Sequence, residues 1–381
     1  MTTSSLPKLP NLLGQLIACN SISSSIPALD HGNRAVIDLL AEILQSLGFN
    51  IEIMPLENPA KANLIATLGS GPGGLVLAGH TDTVPCDSNL WQQDPFTLVE
   101  KDQRFYGLGT CDMKGFFPLA IEAAKDFIGA KLKQPLIILA TADEESSMSG
   151  AMALSRAGAP KARYAVIGEP TGLKPISMHK GILVEKLVIT GKSGHSSDPS
   201  LGVNAMEAMH RALSELLRLR DELKQRYHNP AFAVAYPTMN LGCIHGGDNH
   251  NRICGHCELG FEIRPLPGID VNQLHNEIQQ RLEQVLGSEA STFHLEHLGV
   301  QPFQSDPDSP LVELCEKITA SAAESVSFAT EAPYLKALGM DVVVMGPGDI
   351  GQAHQPDEFL AMDRINPTVN HLKQLIGHFC L

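Results

Sequence analysis

LVLAGHTDTVP, residues 75–85, decides how the chain is read. An apolar run ends at Gly79, and His80, Thr81 and Asp82 follow at once. The run has the length and composition of a buried strand. Residues i and i+2 of a strand face the same side, so His80 and Asp82 share a face at its carboxyl end. A carboxylate beside a metal-binding histidine is the usual partner that sets its tautomer and ring orientation. One His-x-Asp also fits a hydrogen-bonded turn, so the neighbouring segments have to decide between the two.

Outward from this run, short apolar segments alternate with helical ones. NRAVIDLLAEILQSLG (33–48) has helical periodicity and a glycine stop. NIEIMPL, NLIATLG, LIILATA and AVIGEP read as strands, with helices expected from about Gly115 to Phe127 and after Ser149. This alternation predicts an α/β fold, a mostly parallel twisted sheet flanked by helices. After about Ile176 the texture changes. GILVEKLVITGKSGH reads as a strand, 203–226 as a long amphipathic helix, TMNLGCI and ICGHCELGFEIRP as strands, PGIDVNQLHNEIQQRLEQVLG as a helix and TFHLEHL as a strand. These form an inserted α+β module, placed at 179–293 between 1–178 and 294–381. Helices at 309–323 and Pro367–Phe379 and the strand DVVVMG return to the first texture.

Composition agrees with this organisation. At 381 residues the chain exceeds the size at which one core stops growing, so two domains are expected. With 43% hydrophobic and 18% charged residues it reads as an ordinary soluble globular protein. The net charge of −14 argues against nucleic acid or anionic lipid as partners. The N-terminus MTTSSLPKLPNLLGQL lacks the pattern of a secretory signal, and no uncharged apolar stretch reaches the ~18–20 residues of a membrane span. The eight cysteines are scattered, which fits a reducing cytoplasm. Cys254 and Cys257 form a CxxC without a second pair, in a strand-like setting that argues against structural zinc.

Four further sites compare with His80, and in three of them the residues follow an apolar run. Asp112 lies in the glycine-bounded GTCDMKG (109–115) before a helix. Asp143, Glu144 and Glu145 end the run LIILATADEESS. Glu169 ends AVIGEPT. His354 follows VVVMG through a glycine-rich loop. Ligands of open α/β sheets bind beyond the carboxyl ends of the strands. Carboxylates gathered there would repel one another unless neutralised, and divalent cations do that economically. Imidazole with carboxylate favours zinc or a similar first-row ion. Two ions ~3.5–4 Å apart can share and activate one water and polarise a carbonyl. One carboxylate must then stay free as general base and acid, and Glu144 and Glu145 point different ways. The natural reaction is amide hydrolysis.

His80-Thr81-Asp82, Gly109–Gly115, Asp143-Glu144-Glu145, Gly168-Glu169-Pro170 and Ala353-His354-Gln355-Pro356 resemble the five motifs of the di-zinc amidohydrolases, the family of aminoacylase, bacterial glutamate carboxypeptidase and succinyl-diaminopimelate desuccinylase. The resemblance implies that Asp112 bridges two zinc ions per subunit, with cobalt as a possible substitute. His80 and Glu169 would complete one ion and Glu145 and His354 the other. Glu144 would be the general base and acid, and Asp82 would orient His80. The inserted module would be a dimerisation (lid) domain that makes a homodimer. In it, GKSGHSSDPSLGVNA resembles the segment that brings His195 to the active site to stabilise a developing oxyanion.

Longer stretches resemble the deacetylase branch of that family: GTCDMKGFF, LATADEESSMSGA, IGEPTGLKPISMHKG, GHSSDPSLGVNAMEAMH, NRICGHCELGFEIRPLPG, TEAPYL and AHQPDEF. They imply N2-acetyl-L-ornithine as substrate, cleaved to L-ornithine and acetate in arginine biosynthesis. A substrate α-carboxylate wants a bidentate cation, and Arg264 is the candidate, with Asn251 nearby in sequence. Glu331 is the candidate for the side-chain ammonium. The alternative substrates are N-succinyl-diaminopimelate, another N-acyl amino acid or a dipeptide. Cys111, beside the bridging acid, reads as packing.

GSGPGG (69–74) and GPGDIG (346–351) fit the dinucleotide-binding pattern literally. The first runs straight into another strand and the second into Pro356, so neither opens the helix that motif needs. No GxSxG elbow supports Ser196 as a nucleophile. A binding protein without catalysis would have lost Glu144 or a ligand, and all are present.

Overall fold

The computed structural model describes residues 8–287 and 292–381. The first residues of the N-terminal stretch read against a secretory signal, 1–7, lie outside the described residues. The chain divides into two compact units. One is Met1–Ser177 with Ser305–Glu324 and Thr330–Leu381, the other Met178–Gln304 with Ser325–Ala329.

The principal strands in chain order are β1 (Asn50–Pro55), β2 (Ala62–Leu68), β3 (Leu75–His80), β4 (Leu136–Thr141), β5 (Tyr164–Ile167), β6 (Ile182–Thr190), β7 (Thr238–Gly246), β8 (His256–Arg264), β9 (Thr292–Val300) and β10 (Asp341–Val344). The helices used below are α1 (Arg34–Ser46), α2 (Phe116–Ala124), α3 (Ala205–Arg226), α4 (Val271–Leu286) and α5 (Ile365–Cys380).

In the larger unit the strands run β1-β2-β4-β3-β5-β10. β3 is parallel to β4 and β5, and β10 to β5, while β1 and β2 add an antiparallel margin. Every residue of β3 and β4 is buried. Successive strand side chains point to opposite faces, so both faces are covered there, and continuous apolar runs are the result. Val36 and Leu40 of α1, Phe117 of α2 and Leu375 of α5 share one core with Leu77 and Ile138. The register His80↔Thr141 and Ala78↔Ile167 brings the carboxyl ends of β3, β4 and β5 to one edge.

The smaller unit is an antiparallel sheet, β7-β8-β6-β9. Burial alternates along β6 and β8, as expected where one face packs on helices and the other meets water. Leu187 and Leu259 of the buried face meet Leu216 of α3 and Ile278 of α4. Asn204 and Asp270 cap those helices by accepting the N–H groups of Met206 and Gln273. The return to the first unit, expected at residue 294, falls inside β9. That strand pairs along β6 from Thr292 to Val300, which carries this unit on to Gln304.

GSGPGG is the turn between β2 and β3, and Gly73 and Gly74 both adopt positive φ there. A helix at Leu9–Ala18, opening with proline, and short strands at Val99–Lys101, Arg104–Tyr106 and Phe359–Ala361 were not expected from the sequence. Among the described residues no helix is long and apolar enough to cross a membrane.

Candidate metal centre

Each strand end of the larger unit delivers one group. β3 ends in His80, whose ring is 1% exposed. Past β4 the chain turns at Asp143, which has a positive φ of 62°, and presents Glu144 and Glu145, both half-buried. Glu169 follows β5 and is buried; Gly168 before it lies against the Phe116 ring, where a side chain would collide. Asp112 enters on the loop before α2 and is also buried, and the Asp112–Met113 peptide is cis. His354 stands on the loop after β10 and is exposed.

These groups converge. Ligand atoms of His80, Glu144 and Glu169 lie within 4.8 Å of one another, and so do those of His80, Asp112 and Glu145. His80 Nε2 is 3.2 Å from Asp112 Oδ1 and 3.8 Å from Glu169 Oε1. His354 Nε2 is 3.1 Å from Glu145 Oε2 and 3.5 Å from Asp112 Oδ2. Asp112 thus stands between the two imidazoles.

The electrostatics are those of a cation site. Burial and repulsion from Glu169 push the Glu144 carboxyl well above its ordinary range, and burial does the same to Glu169. Burial opposes charge on His80, but Glu169, Asp112 and Asp82 outweigh it and raise its pKa well above the usual value. The hydrogen bond to Glu145 raises His354 to about 9. Glu169 Oε1 is buried with no hydrogen-bond partner among the described residues. A buried polar atom left unpaired is costly, and a metal ion satisfies it. The donor set, imidazole nitrogen and carboxylate oxygen, therefore fits divalent cations.

Asp82 is placed differently from the expectation. His80 Nδ1 bonds the Asp82 main-chain carbonyl at 2.9 Å, while the carboxylate stands 3.7 Å away. That carboxylate accepts the N–H groups of Glu144 at 3.3 Å and Glu145 at 3.0 Å. It holds the turn that carries both glutamates.

The sequence matches peptidase family M20/M25/M40 over residues 76–378. The chain belongs to this family. It is 51% identical over 378 residues to the acetylornithine deacetylase of Edwardsiella ictaluri, covering 98% of this chain and 98% of that relative. It is 49% identical over 380 residues to the acetylornithine deacetylase of Photorhabdus laumondii, covering 99% and 98%. Its fold is that of an M20 metallo-carboxypeptidase from Sulfolobus solfataricus (TM-score 0.79, 18% identity, covering 98% and 99%). It also matches a dinuclear metal-binding M20 peptidase of Bacillus subtilis (TM-score 0.68, 14% identity, covering 97% and 98%).

Other expected site residues of this M20/M25/M40 chain are placed as follows. Glu331 is buried in the larger unit, and its Oε2 accepts the Thr141 hydroxyl at 2.8 Å. Its Oε1 has no partner among the described residues, and burial lifts its pKa to about 7. His195 is in the smaller unit and exposed; its Nδ1 accepts the Ser197 N–H at 3.2 Å, which leaves the ring proton on Nε2. The Asn251 carbonyl accepts the Ser196 N–H at 3.1 Å and so ties down the same loop. Arg264 is already engaged: Glu262 takes its Nε and Nη2 at 2.7 and 3.0 Å. Cys111 is packing, with its thiol buried and directed at the Asp349 carbonyl at 3.3 Å.

Lys61 escaped the sequence reading. Its ammonium bridges Asp30 at 2.8 Å and Asp143 at 2.6 Å, anchoring the turn before Glu144. The signal for it is a lone lysine just before the buried strand β2.

Proposed function

We infer that the protein is a metal-dependent amidohydrolase that cleaves N2-acetyl-L-ornithine to L-ornithine and acetate. The observation that carries this reading is the convergence of His80, Asp112, Glu144, Glu145, Glu169 and His354 at one sheet edge. It stands in a chain about half identical, over nearly its full length, to acetylornithine deacetylases. Asp112 would be shared between two ions, with His80 and Glu169 holding one and Glu145 and His354 the other. Zinc fits this donor set, and cobalt can replace it.

When bound, the ions lower the pKa of the attacking water and polarise the acetyl carbonyl. Glu144 takes the proton from that water and hands it to the amide nitrogen as the C–N bond breaks. Its buried, carboxylate-rich surroundings raise its basicity for that task. His195 presents Nε2–H, the tautomer that donates to a developing oxyanion. Glu331, with an unpaired buried oxygen, is assigned to the substrate's side-chain ammonium. Arg264 and Asn251 are assigned to the α-carboxylate; Arg264 must first leave Glu262. The smaller unit is assigned to pairing two subunits as a homodimer, and the reaction to arginine biosynthesis in the cytoplasm.

The test is acetate release from N2-acetyl-L-ornithine by metal-stripped protein, before and after zinc or cobalt is returned. Activity only with metal supports both the mechanism and the substrate. Inactivity of folded, metal-loaded protein transfers the assignment to N-succinyl-diaminopimelate or a dipeptide. Unchanged kcat/KM in Arg264→Ala removes Arg264 from the site.

A further inference from the structure

Glu358 is a buried carboxylate to which the proposed mechanism gives no task. It is 1% exposed and lies four residues after His354. Its Oε1 accepts the N–H groups of Cys111 at 2.7 Å, Asp112 at 3.0 Å and Gly109 at 3.1 Å. Its Oε2 takes the same Gly109 N–H at 3.0 Å. Its main-chain carbonyl accepts the Gly107 N–H at 3.0 Å. One residue therefore satisfies four amides of the loop that carries Asp112.

That loop is shaped to be gripped. Gly109 has φ of 86°, a region other residues rarely adopt, and the turn closes through the Thr110 hydroxyl on the Gly107 carbonyl at 2.7 Å. The amides of Gly109, Cys111 and Asp112 then point inward at one carboxyl group, the geometry of a backbone nest. Residues 107–120 are buried throughout, so water cannot readily replace the carboxylate. The last amide of the nest belongs to Asp112, whose two oxygens lie 3.2 Å from His80 Nε2 and 3.5 Å from His354 Nε2.

We propose that Glu358 is a positioning residue of the metal centre, holding the 107–112 loop so that Asp112 stands between His80 and His354. The proposal rests on the reading of Asp112 as the ligand shared by two ions. Partners that orient metal ligands typically contribute about 10–100-fold in metal affinity. Glu358→Gln keeps an oxygen for the amides of Cys111 and Asp112 but sets an N–H group against that of Gly109. Glu358→Ala keeps only the main-chain carbonyl that accepts the Gly107 N–H and offers the other three amides no acceptor.

The experiment uses full-length wild type, Glu358→Gln and Glu358→Ala. Each is stripped of metal and titrated with zinc against a chromophoric chelator, then loaded with cobalt for its visible spectrum. Thermal melting of the metal-free proteins is recorded alongside. The expected result is two ions per chain in the wild type and a roughly 10–100-fold weaker ion in Glu358→Ala, with an altered cobalt spectrum. Glu358→Gln falls between the two, and in both variants kcat falls more than KM changes. Two ions of wild-type affinity with the wild-type spectrum in Glu358→Ala overturn the proposal and leave the metal reading intact. If Glu358→Ala does not fold, wild-type affinity and spectrum in Glu358→Gln overturn it equally. Wild-type protein that binds no metal removes the metal reading and the proposal together.

Discussion

Asp82→Asn separates two readings of the same carboxylate. In one, Asp82 acts on the His80 ring; in the other, it holds the turn that carries Glu144 and Glu145. The structure favours the second. The carboxylate lies 3.7 Å from His80 Nδ1, while its two oxygens each take one amide N–H, at 3.3 and 3.0 Å. The His80 hydrogen bond runs to the Asp82 main chain, which the substitution leaves in place. Asparagine keeps one oxygen and turns the other position into a donor, so one amide bond is lost and a donor faces a donor. The group is 2% exposed, so water cannot take over. A hydrogen bond to a charged group is worth about 1.5–3 kcal/mol. If that loss falls on the placement of Glu144 and Glu145, kcat drops by about 10–150-fold. Calorimetric metal titration, with Glu145→Ala as reference for the step that Glu145 controls, reads the second consequence. The Glu145 step weakens and the other step holds. An unchanged kcat refutes the reasoning. So does selective weakening of the other step, which would return Asp82 to the His80 ring.

Further outcomes follow from the same geometry. Glu144→Gln keeps metal uptake and lowers kcat for acetate release by about 10²–10⁴-fold; normal turnover would remove it as general base. Lys61→Met leaves Asp143 buried without its cation. Loss of one partner of a buried pair costs about 3–5 kcal/mol, near the lower end here because Ser23 and Ser149 still donate to Asp143. Denaturant unfolding of the metal-free protein measures it. Glu185, buried in β6 with Oε2 unpaired among the described residues and Oε1 2.9 Å from His275, keeps its proton up to about pH 8, against 4.5 for a free side chain. The folded state therefore binds the extra proton, and its stabilising effect is present below about pH 4.5 and lost as pH rises through about 8. Glu185→Gln should gain stability relative to wild type between pH 5.5 and pH 8.5 in denaturant titrations; parallel curves would contradict it.

The strand ends were legible because β3 and β4 are buried on both faces, so their apolar runs stop abruptly where chemistry begins. His80, Glu144 and Glu145 could be read from that signal, and Glu169 from the shorter buried run of β5. The same period-two rule that put His80 and Asp82 on one face also puts Glu262 and Arg264 on one face of β8. Applied there, it yields the bidentate pair the structure contains, and an arginine whose fork is already filled. The Asp82 carboxylate shows the limit of that rule. A shared face brings it near the ring, but what it bonds depends on where the turn after β4 arrives, and that turn is set by Asp143 at positive φ and by Lys61.

Contacts of this kind have no local signature. Lys61 and Asp143 are 82 residues apart, and Glu358 and Asp112 are 246 apart. A carboxylate that accepts only main-chain N–H groups makes no demand on the residue types it meets, so no pattern in 107–112 points to Glu358. The glycines at 107 and 109 are the trace it leaves, and they read equally well as an ordinary turn. The metal-ligand candidates other than Asp112 are thus visible as residue types following strand ends. The groups that aim them become visible only once the backbone of each loop is placed.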